Sequence, residues 1–230
     1  MNFYFMVPIA NALYYVSIFS VLLPIIFLLK KKQNFKIAFI KIFGMLLFIS
    51  AFSDWGGYIL IKLGKSNISI INTYTLIEFF LLSCIYYLLL KNKKNVYIAL
   101  VIFIIFFIIN IIFIQPFSEF QNWTLVLESV IIFIYSIKYY LKLYNIPMAS
   151  LFRFHLFWLN TAIFYYFGAS ILIFLCSNYI LKNMSAEMGI EIWMFHNFNS
   201  IIKNILFTVA ICYVGAKQDE AYDGRNMSHI

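Results

Sequence analysis

The sequence predicts an all-α polytopic membrane protein, a bundle of seven transmembrane helices, and three observations carry that prediction. Of 230 residues, 64% are hydrophobic, 21% aromatic and only 11% charged, where a soluble domain carries about 25% charged residues. Apolar runs close to the ~20 residues of one membrane crossing recur seven times. Seven such crossings leave roughly 90 residues for six connections and two tails, around 11 each, too few for a folded domain outside the bilayer.

The first run, near 9–29, follows MNFYFMVP, which lacks the basic start of a cleavable signal peptide. Its apolar stretch also outlasts a signal sequence, so it is expected to remain in the mature protein. Pro24 lies inside it and, having no amide donor, should kink it. The second run, near 37–61, is set off by KKKQNFK, the third, near 69–90, by KLGKSN, and the fourth, near 95–114, by KNKKN. QPFSEFQN precedes the fifth run (122–141), YNIPMAS the sixth (154–181) and KNMSAEMG the seventh (190–214). Each break is polar or contains proline. Residues 1–215 thus read as one seven-helix domain and 216–230 as a short cytoplasmic tail. Cys84, Cys176 and Cys212 fall inside apolar runs without CxxC or metal-ligand spacing, and read as small core residues.

The net charge of +8 sorts by loop. With the N-terminus outside, the inner side holds Lys30, Lys31, Lys32, Lys36, Lys41, Lys91, Lys93, Lys94, Lys138, Lys142, Arg153, Lys217 and Arg225. The outer side holds Lys62, Lys65 and Lys182, and Lys203 lies within the last run. Cytoplasmic loops retain positive charge, so this distribution predicts N-out, C-in. It also accounts for the basic balance without nucleic acid, since the positive groups are scattered over short loops at the membrane face.

Ionisable side chains inside a span are costly, about 2.5–3.5 kcal/mol each on insertion scales, and usually face the bundle interior. Here they are Asp54, Glu78, Glu128, His196 and Lys203. At about 1.5 Å per residue, Asp54 lies roughly 10 Å, Glu78 roughly 14 Å, and Glu128 and His196 each roughly 9 Å below the outer ends of their helices. Their helical neighbours are polar as well. Ser50, Asp54, Gly57 and Tyr58 share a face of the second run, Asn72, Thr75 and Glu78 one of the third, and Trp123, Thr124 and Glu128 lie together on the fifth. In the seventh, Trp193, Asn197, Ser200 and Asn204 recur at spacings of four, three and four, beside a stripe of His196, Asn199 and Lys203. The expectation is an outward-facing polar cavity holding Asp54, Glu78, Glu128, His196, Asn197 and Lys203. Interhelical hydrogen bonding is the plainer reading of any one of these residues. Three carboxylates at one depth exceed what packing needs, and they repel one another unless a proton or cation is shared.

Lys203, near mid-bilayer, needs a counter-charge, and Glu78 is the nearest acid by depth. A structural ion pair, a titrating charge and a Schiff-base lysine are the three readings. Microbial rhodopsins have seven helices and a lysine in the last, but also an aspartate one turn before it, where this chain has Asn199; the likeness is architectural, and no cofactor is expected. Zinc hydrolases of the alkaline ceramidase and progestin-receptor-like families gather several histidines on one ion. Here His155 falls at the inner end of the sixth run and His196 near the outer end of the seventh, on opposite sides of the membrane, and His229 in the tail, so they cannot share one ion and no catalytic residue is assigned. The carboxylates suit a hard cation better than zinc, and the metal question stays open. Arg153, His155, Trp158 and Asn160 form a second cluster at the inner side, read as interfacial anchors or a partner-docking face. Trp55, Trp123 and Trp193 read as interface belts.

The last two spans, FHLFWLNTAIFYYFGASILIFL and IWMFHNFNSIIKNILFTVAI, with the polar run His196, Asn197, Asn199, Lys203 and Asn204, resemble a group of small seven-helix membrane proteins of AT-rich bacteria. That group has no established activity and is associated loosely with neighbouring sensor-kinase genes. The resemblance implies a multi-pass protein of the bacterial inner (plasma) membrane with a signalling role. The functional expectation is a sensor or receptor-like protein that binds a small ligand or ion in the cavity and signals through a cytoplasmic partner. A small proton- or cation-coupled transporter or channel is the alternative.

Overall fold

The computed structural model describes residues 3–31, 37–90, 93–145 and 151–215. Lys32, Lys36, Lys91, Lys217, Arg225, His229 and the tail expected over 216–230 lie outside the described residues. Among the described residues the chain is all helix and has no strand. In order these are α1 (Phe3–Ser20), α2 (Leu22–Lys30), α3 (Ala38–Lys62), α4 (Ile68–Leu90), α5 (Lys93–Ile109), α6 (Asn122–Tyr144), α7 (His155–Asn183) and α8 (Ala186–Tyr213). A π-helical turn, Asn110–Ile114, continues α5, and a 3₁₀ turn, Leu151–Arg153, precedes α7.

Among the described residues six stretches are long and apolar enough to cross a membrane: Met6–Lys30, Ala38–Lys62, Ile68–Leu90, Lys93–Ile114, Asn122–Tyr144 and His155–Ile180. The architecture is that of a multi-pass membrane protein. The seventh expected run, α8, is 28 residues long but is not among the six. Its interior stripe of His196, Asn197, Asn199, Lys203 and Asn204 depresses its average hydropathy.

Pro24 acts as expected, but the break falls before it. A proline ring clashes with the carbonyl four residues earlier and leaves it without its donor. That carbonyl belongs to Ser20, where α1 ends, and α2 resumes at Leu22. The last break is shorter than the sequence suggested. Ser185 accepts a hydrogen bond from the Met188 amide (3.5 Å) and so caps α8, which satisfies one of the orphan donors at a helix start. Most of KNMSAEMG is therefore helical.

Short connections make sequence neighbours antiparallel. The upper end of the bundle carries the start of α1 and the α3–α4, α5–α6 and α7–α8 connections. The lower end carries the last residues of α2, α4, α6 and α8. Packing closes a ring in the order α1/α2, α3, α4, α6, α7, α8, with α8 returning to α1 and α2; α5 lies outside it against α4 and α6. This explains the composition of α5, the most apolar span and the least buried.

The outer surface is greasy. Phe52 is 77% and Phe113 79% exposed. Cys176 and Cys212 are also exposed, so the expectation that they are core residues fails for these two; Cys84 is half-buried, and all three are free thiols. The lower half of the bundle has a closely packed interior, with a hollow of about 380 Å³ at its edge between α4, α5 and α6. Phe43 meets Phe207 edge-on at 4.9 Å, Phe79 stacks on Phe103 at 3.8 Å, and Ile85, Tyr86, Ile132 and Tyr139 are fully buried. Gly168 lets α6 and α7 touch, since a Cβ there would lie 2.8 Å from Phe133.

Polar groups tie this half together. Asn160 of α7 accepts from Tyr86 of α4 (2.8 Å) and Ser136 of α6 (3.0 Å), and its amide donates to the Ser136 carbonyl (3.1 Å). Trp158 donates to the Phe152 carbonyl, and His155 stacks on Phe39. Asn160, Trp158 and His155 are thus built into the packing. Two lysines counted in the inner loops cap helix ends. Lys31 donates to the carbonyls of Ile211, Cys212 and Val214 at the end of α8, and Lys142 to that of Leu89 at the end of α4. Cations are favoured there because the last carbonyls of a helix lack donors and carry partial negative charge.

Candidate functional site

Above the packed half lies a cavity of about 420 Å³, within the ~300–1,000 Å³ range of small-molecule sites. Asp54, Glu78, Glu128, His196, Asn197 and Lys203, the six residues singled out from the sequence, all line it. They come from α3, α4, α6 and α8, with α1 and α7 supplying the remaining walls. The helical phase explains this convergence. Ser50, Asp54 and Gly57 on α3, Thr75 and Glu78 on α4, and Trp193, Asn197, Ser200 and Asn204 on α8 recur at three- and four-residue intervals and all face the cavity.

The acids differ in their partners. Glu78, buried, accepts a hydrogen bond from Tyr74 one turn earlier on α4 at 2.9 Å. Glu128 is 1% exposed and its Oε1 has no hydrogen-bond partner among the described residues. Asp54 makes no hydrogen bond or ion pair among the described residues. Glu78 interacts electrostatically with both Asp54 and Glu128. Among the described residues no group of three or more His, Cys, Asp or Glu side chains comes together as a metal-holding set. The carboxylates share the cavity without closing on one point, and His155 and His196 stand at opposite ends of the bundle.

Lys203 corrects an expectation. Its ammonium does not pair with Glu78; it sits over the Tyr166 ring, 4.0 Å from the centroid, and no carboxylate among the described residues lies within 4.0 Å. Its charge still acts on Asp54, Glu78 and Glu128. The face of an aromatic ring is negative, so it holds an ammonium in a space poor in water. His196 continues the aromatic wall, with Trp193 at 5.5 Å, Phe174 at 5.7 Å and Tyr166 at 6.0 Å between centroids, and its Nδ1 is buried without a partner. Trp193 thus faces inward, where an interface belt was expected, and Phe120 of the α5–α6 connection meets it edge-on at 5.7 Å.

Other predicted partners serve packing. Asn199 accepts from Tyr165 (2.7 Å), Asn204 donates to Ser20 (2.7 Å), and Asn72 donates to the carbonyls of Phe117 and Glu119. Thr124 joins a buried clasp at the upper end that the sequence did not reveal. There Asn110, in the π-turn, donates toward Gln115, Gln121 and Thr124, while Gln115 and Asn178 both donate to Asn122. The clasp holds the 115–121 connection down and so positions Phe120 above the cavity. Tyr14, Ser17, Ser53, Tyr74 and Tyr166 are cavity residues the sequence reading missed. Of these, Tyr74 carried a visible signal, standing four residues before Glu78. Tyr166 meets Lys203 only through the packing of α7 on α8.

No family model, no curated protein and no solved structure matches this chain.

Proposed function

We propose that the chain is a seven-span receptor-like protein of the bacterial inner membrane, N-terminus outside and C-terminus inside, that binds a small ligand or ion in the upper cavity and signals through a cytoplasmic partner. In this reading α8 is the seventh crossing. At about 1.5 Å per residue its length of 28 residues amounts to about 42 Å, ample for a ~30 Å hydrocarbon core. Its polar stripe is tolerable because it turns toward the cavity and away from lipid. The basic residues of the lower end then face the cytoplasm, as the positive-inside rule requires.

The observation that carries the reading is the double engagement of α8. Its upper half places His196, Asn197, Ser200 and Lys203 in the cavity, and its lower end is fastened to α2 through Lys31. An occupant that binds the carboxylates of α3, α4 and α6 while displacing or attracting Lys203 shifts α8 against the ring, and the shift reaches the lower end of a continuous helix. A ligand biases such an equilibrium only by its differential affinity for the two arrangements. The packed interior below the cavity, filled by Tyr86, Ile132, Tyr139 and Phe207, favours a receptor over the transporter or channel alternative. The test is flux in proteoliposomes under proton and monovalent-cation gradients. The receptor reading expects none above empty vesicles; flux that disappears in Glu78→Gln and Glu128→Gln would establish the transporter instead.

A further inference from the structure

We infer that the cavity takes a cationic amphiphile, a protonated amine whose ammonium sits among Asp54, Glu78 and Glu128 and whose apolar chain lies in a vestibule between α1 and the α7–α8 turn. This rests on the reading of the cavity as a ligand site. It identifies the chemical class of the ligand.

The charge comes first. Three carboxylates face the cavity and one lysine faces them. Lys203 can balance one acid, and it is already settled on Tyr166 at 4.0 Å. Glu128 is 1% exposed with an oxygen that has no partner, and a buried carboxylate is stable only when paired or hydrogen-bonded. The missing partner is a donor, and an ammonium supplies three. The walls suit it as well, because the site already holds one ammonium against an aromatic face, and Trp193 offers another.

The chain follows from a second hollow, about 520 Å³, that adjoins the cavity and shares Tyr14, Trp193 and Asn197 with it. Beyond those three residues its wall is largely apolar: Ala10, Ile180, Met184, Ile190 and Met194. Two of these are methionines, flexible side chains that adapt to chains of varied shape. A small polar cation would leave this space without a complementary occupant. An alkyl chain attached to the ammonium fills it and buries apolar surface on both sides, a gain that grows with each methylene.

The experiment uses the full chain in nanodiscs of zwitterionic phosphatidylcholine and a decylammonium probe carrying a terminal diazirine. After photolysis, labelled peptides are mapped by mass spectrometry. Saturable labelling is expected on the peptides containing Met184 or Met194. Unlabelled n-decylammonium should compete at a concentration at least about tenfold below n-butylammonium, and n-decanoate should not compete. The double variant Asp54→Asn, Glu128→Gln should reduce labelling at least about fivefold, the loss of a charge-assisted contact or more. Gly189→Phe, which narrows the vestibule and leaves every charge in place, should weaken n-decylammonium and spare n-butylammonium. If butyl and decyl amines compete equally, the vestibule holds no chain and this inference falls while the cavity reading stands. If decanoate competes as well as decylammonium, the charge assignment falls. If no amine of either length gives saturable binding, the cavity reading falls with it.

Discussion

The ammonium of Lys203 lies 4.0 Å from the centre of the Tyr166 ring, with Asp54, Glu78 and Glu128 lining the same cavity. A lysine held by an aromatic face is tethered less tightly than one in a close ion pair, so it can respond to an arriving charge. In the proposed receptor reading, this relationship makes α8 sensitive to what occupies the cavity.

Lys203 and the acids should be energetically coupled even though no pair is within salt-bridge distance. Lys203→Met removes the cation that faces three carboxylates, and is expected to destabilise the protein. In an Asp54→Asn, Glu128→Gln background the same change should cost less, by about 1 kcal/mol or more. Equilibrium unfolding of the four proteins in one detergent completes the cycle; equal costs in both backgrounds would mean that the lysine senses only Tyr166.

Lys31 should stabilise the lower end of α8 locally. Lys31→Gln loses charge-assisted contacts to the carbonyls of Ile211, Cys212 and Val214, worth about 0.3–1 kcal/mol for a cation at a helix C-terminus. The expected result is faster amide hydrogen exchange over 209–215 with unchanged exchange in α4. Uniform acceleration through the bundle would contradict a local role.

The upper clasp should control access to the cavity. Asn110→Leu leaves Gln121 and Thr124 without a buried donor, at about 1–3 kcal/mol for each group left unsatisfied. The 115–121 connection should become a site of limited proteolysis, and Phe120 should leave Trp193. Quenching of Trp193, read in a variant with the other three tryptophans replaced by phenylalanine, is expected to rise; unchanged quenching would mean that the clasp is only structural.

Gly168 and Gly56 should differ. A Cβ at Gly168 would lie 2.8 Å from the Phe133 ring, whereas at Gly56 the contact is 3.2 Å to the end of the Ile70 side chain. Gly168→Ala forces α6 and α7 apart and should cost about 1–3 kcal/mol as overpacking. Gly56→Ala should be close to neutral. Thermal unfolding of the two variants decides, and equal behaviour would count against the tight α6–α7 contact.

Much of this was legible because two physical signals survive in the sequence. Apolar runs interrupted by short polar breaks located the helices, and the high cost of charge in lipid made Asp54, Glu78, Glu128, His196 and Lys203 conspicuous. Helical phase then put Asn197, Ser200 and Asn204 on their side. What was not legible depends on contacts between helices. Tyr166 is one of 17 tyrosines, and nothing near it in sequence points to Lys203. The Asn110 clasp depends on a π-turn and on a connection folding back, and QPFSEFQN looked like an ordinary break. The ends of α7 and α8 were misplaced because a single cap, Ser185, can replace a longer loop. Trp193 and Trp123 carry the same sequence signal, yet one faces the cavity and the other is 44% exposed.

The central proposal is that the carboxylates of the upper cavity make it cation-selective and that this end of the bundle faces outward, and it can be tested with charged thiol reagents. In a chain with Cys84→Ser, Cys176→Ser and Cys212→Ser, Ser200→Cys is exposed on intact spheroplasts to a trimethylammonium methanethiosulfonate and to its sulfonate counterpart. Measured against Ser66→Cys on the upper connection, the cavity cysteine should favour the cationic reagent by at least about tenfold, the effect of three carboxylates against one lysine in a confined cleft. Ser136→Cys in the lower core should react with neither. A Ser200→Cys that is inert to both reagents, or that shows no preference for positive charge over the Ser66→Cys control, would contradict the account.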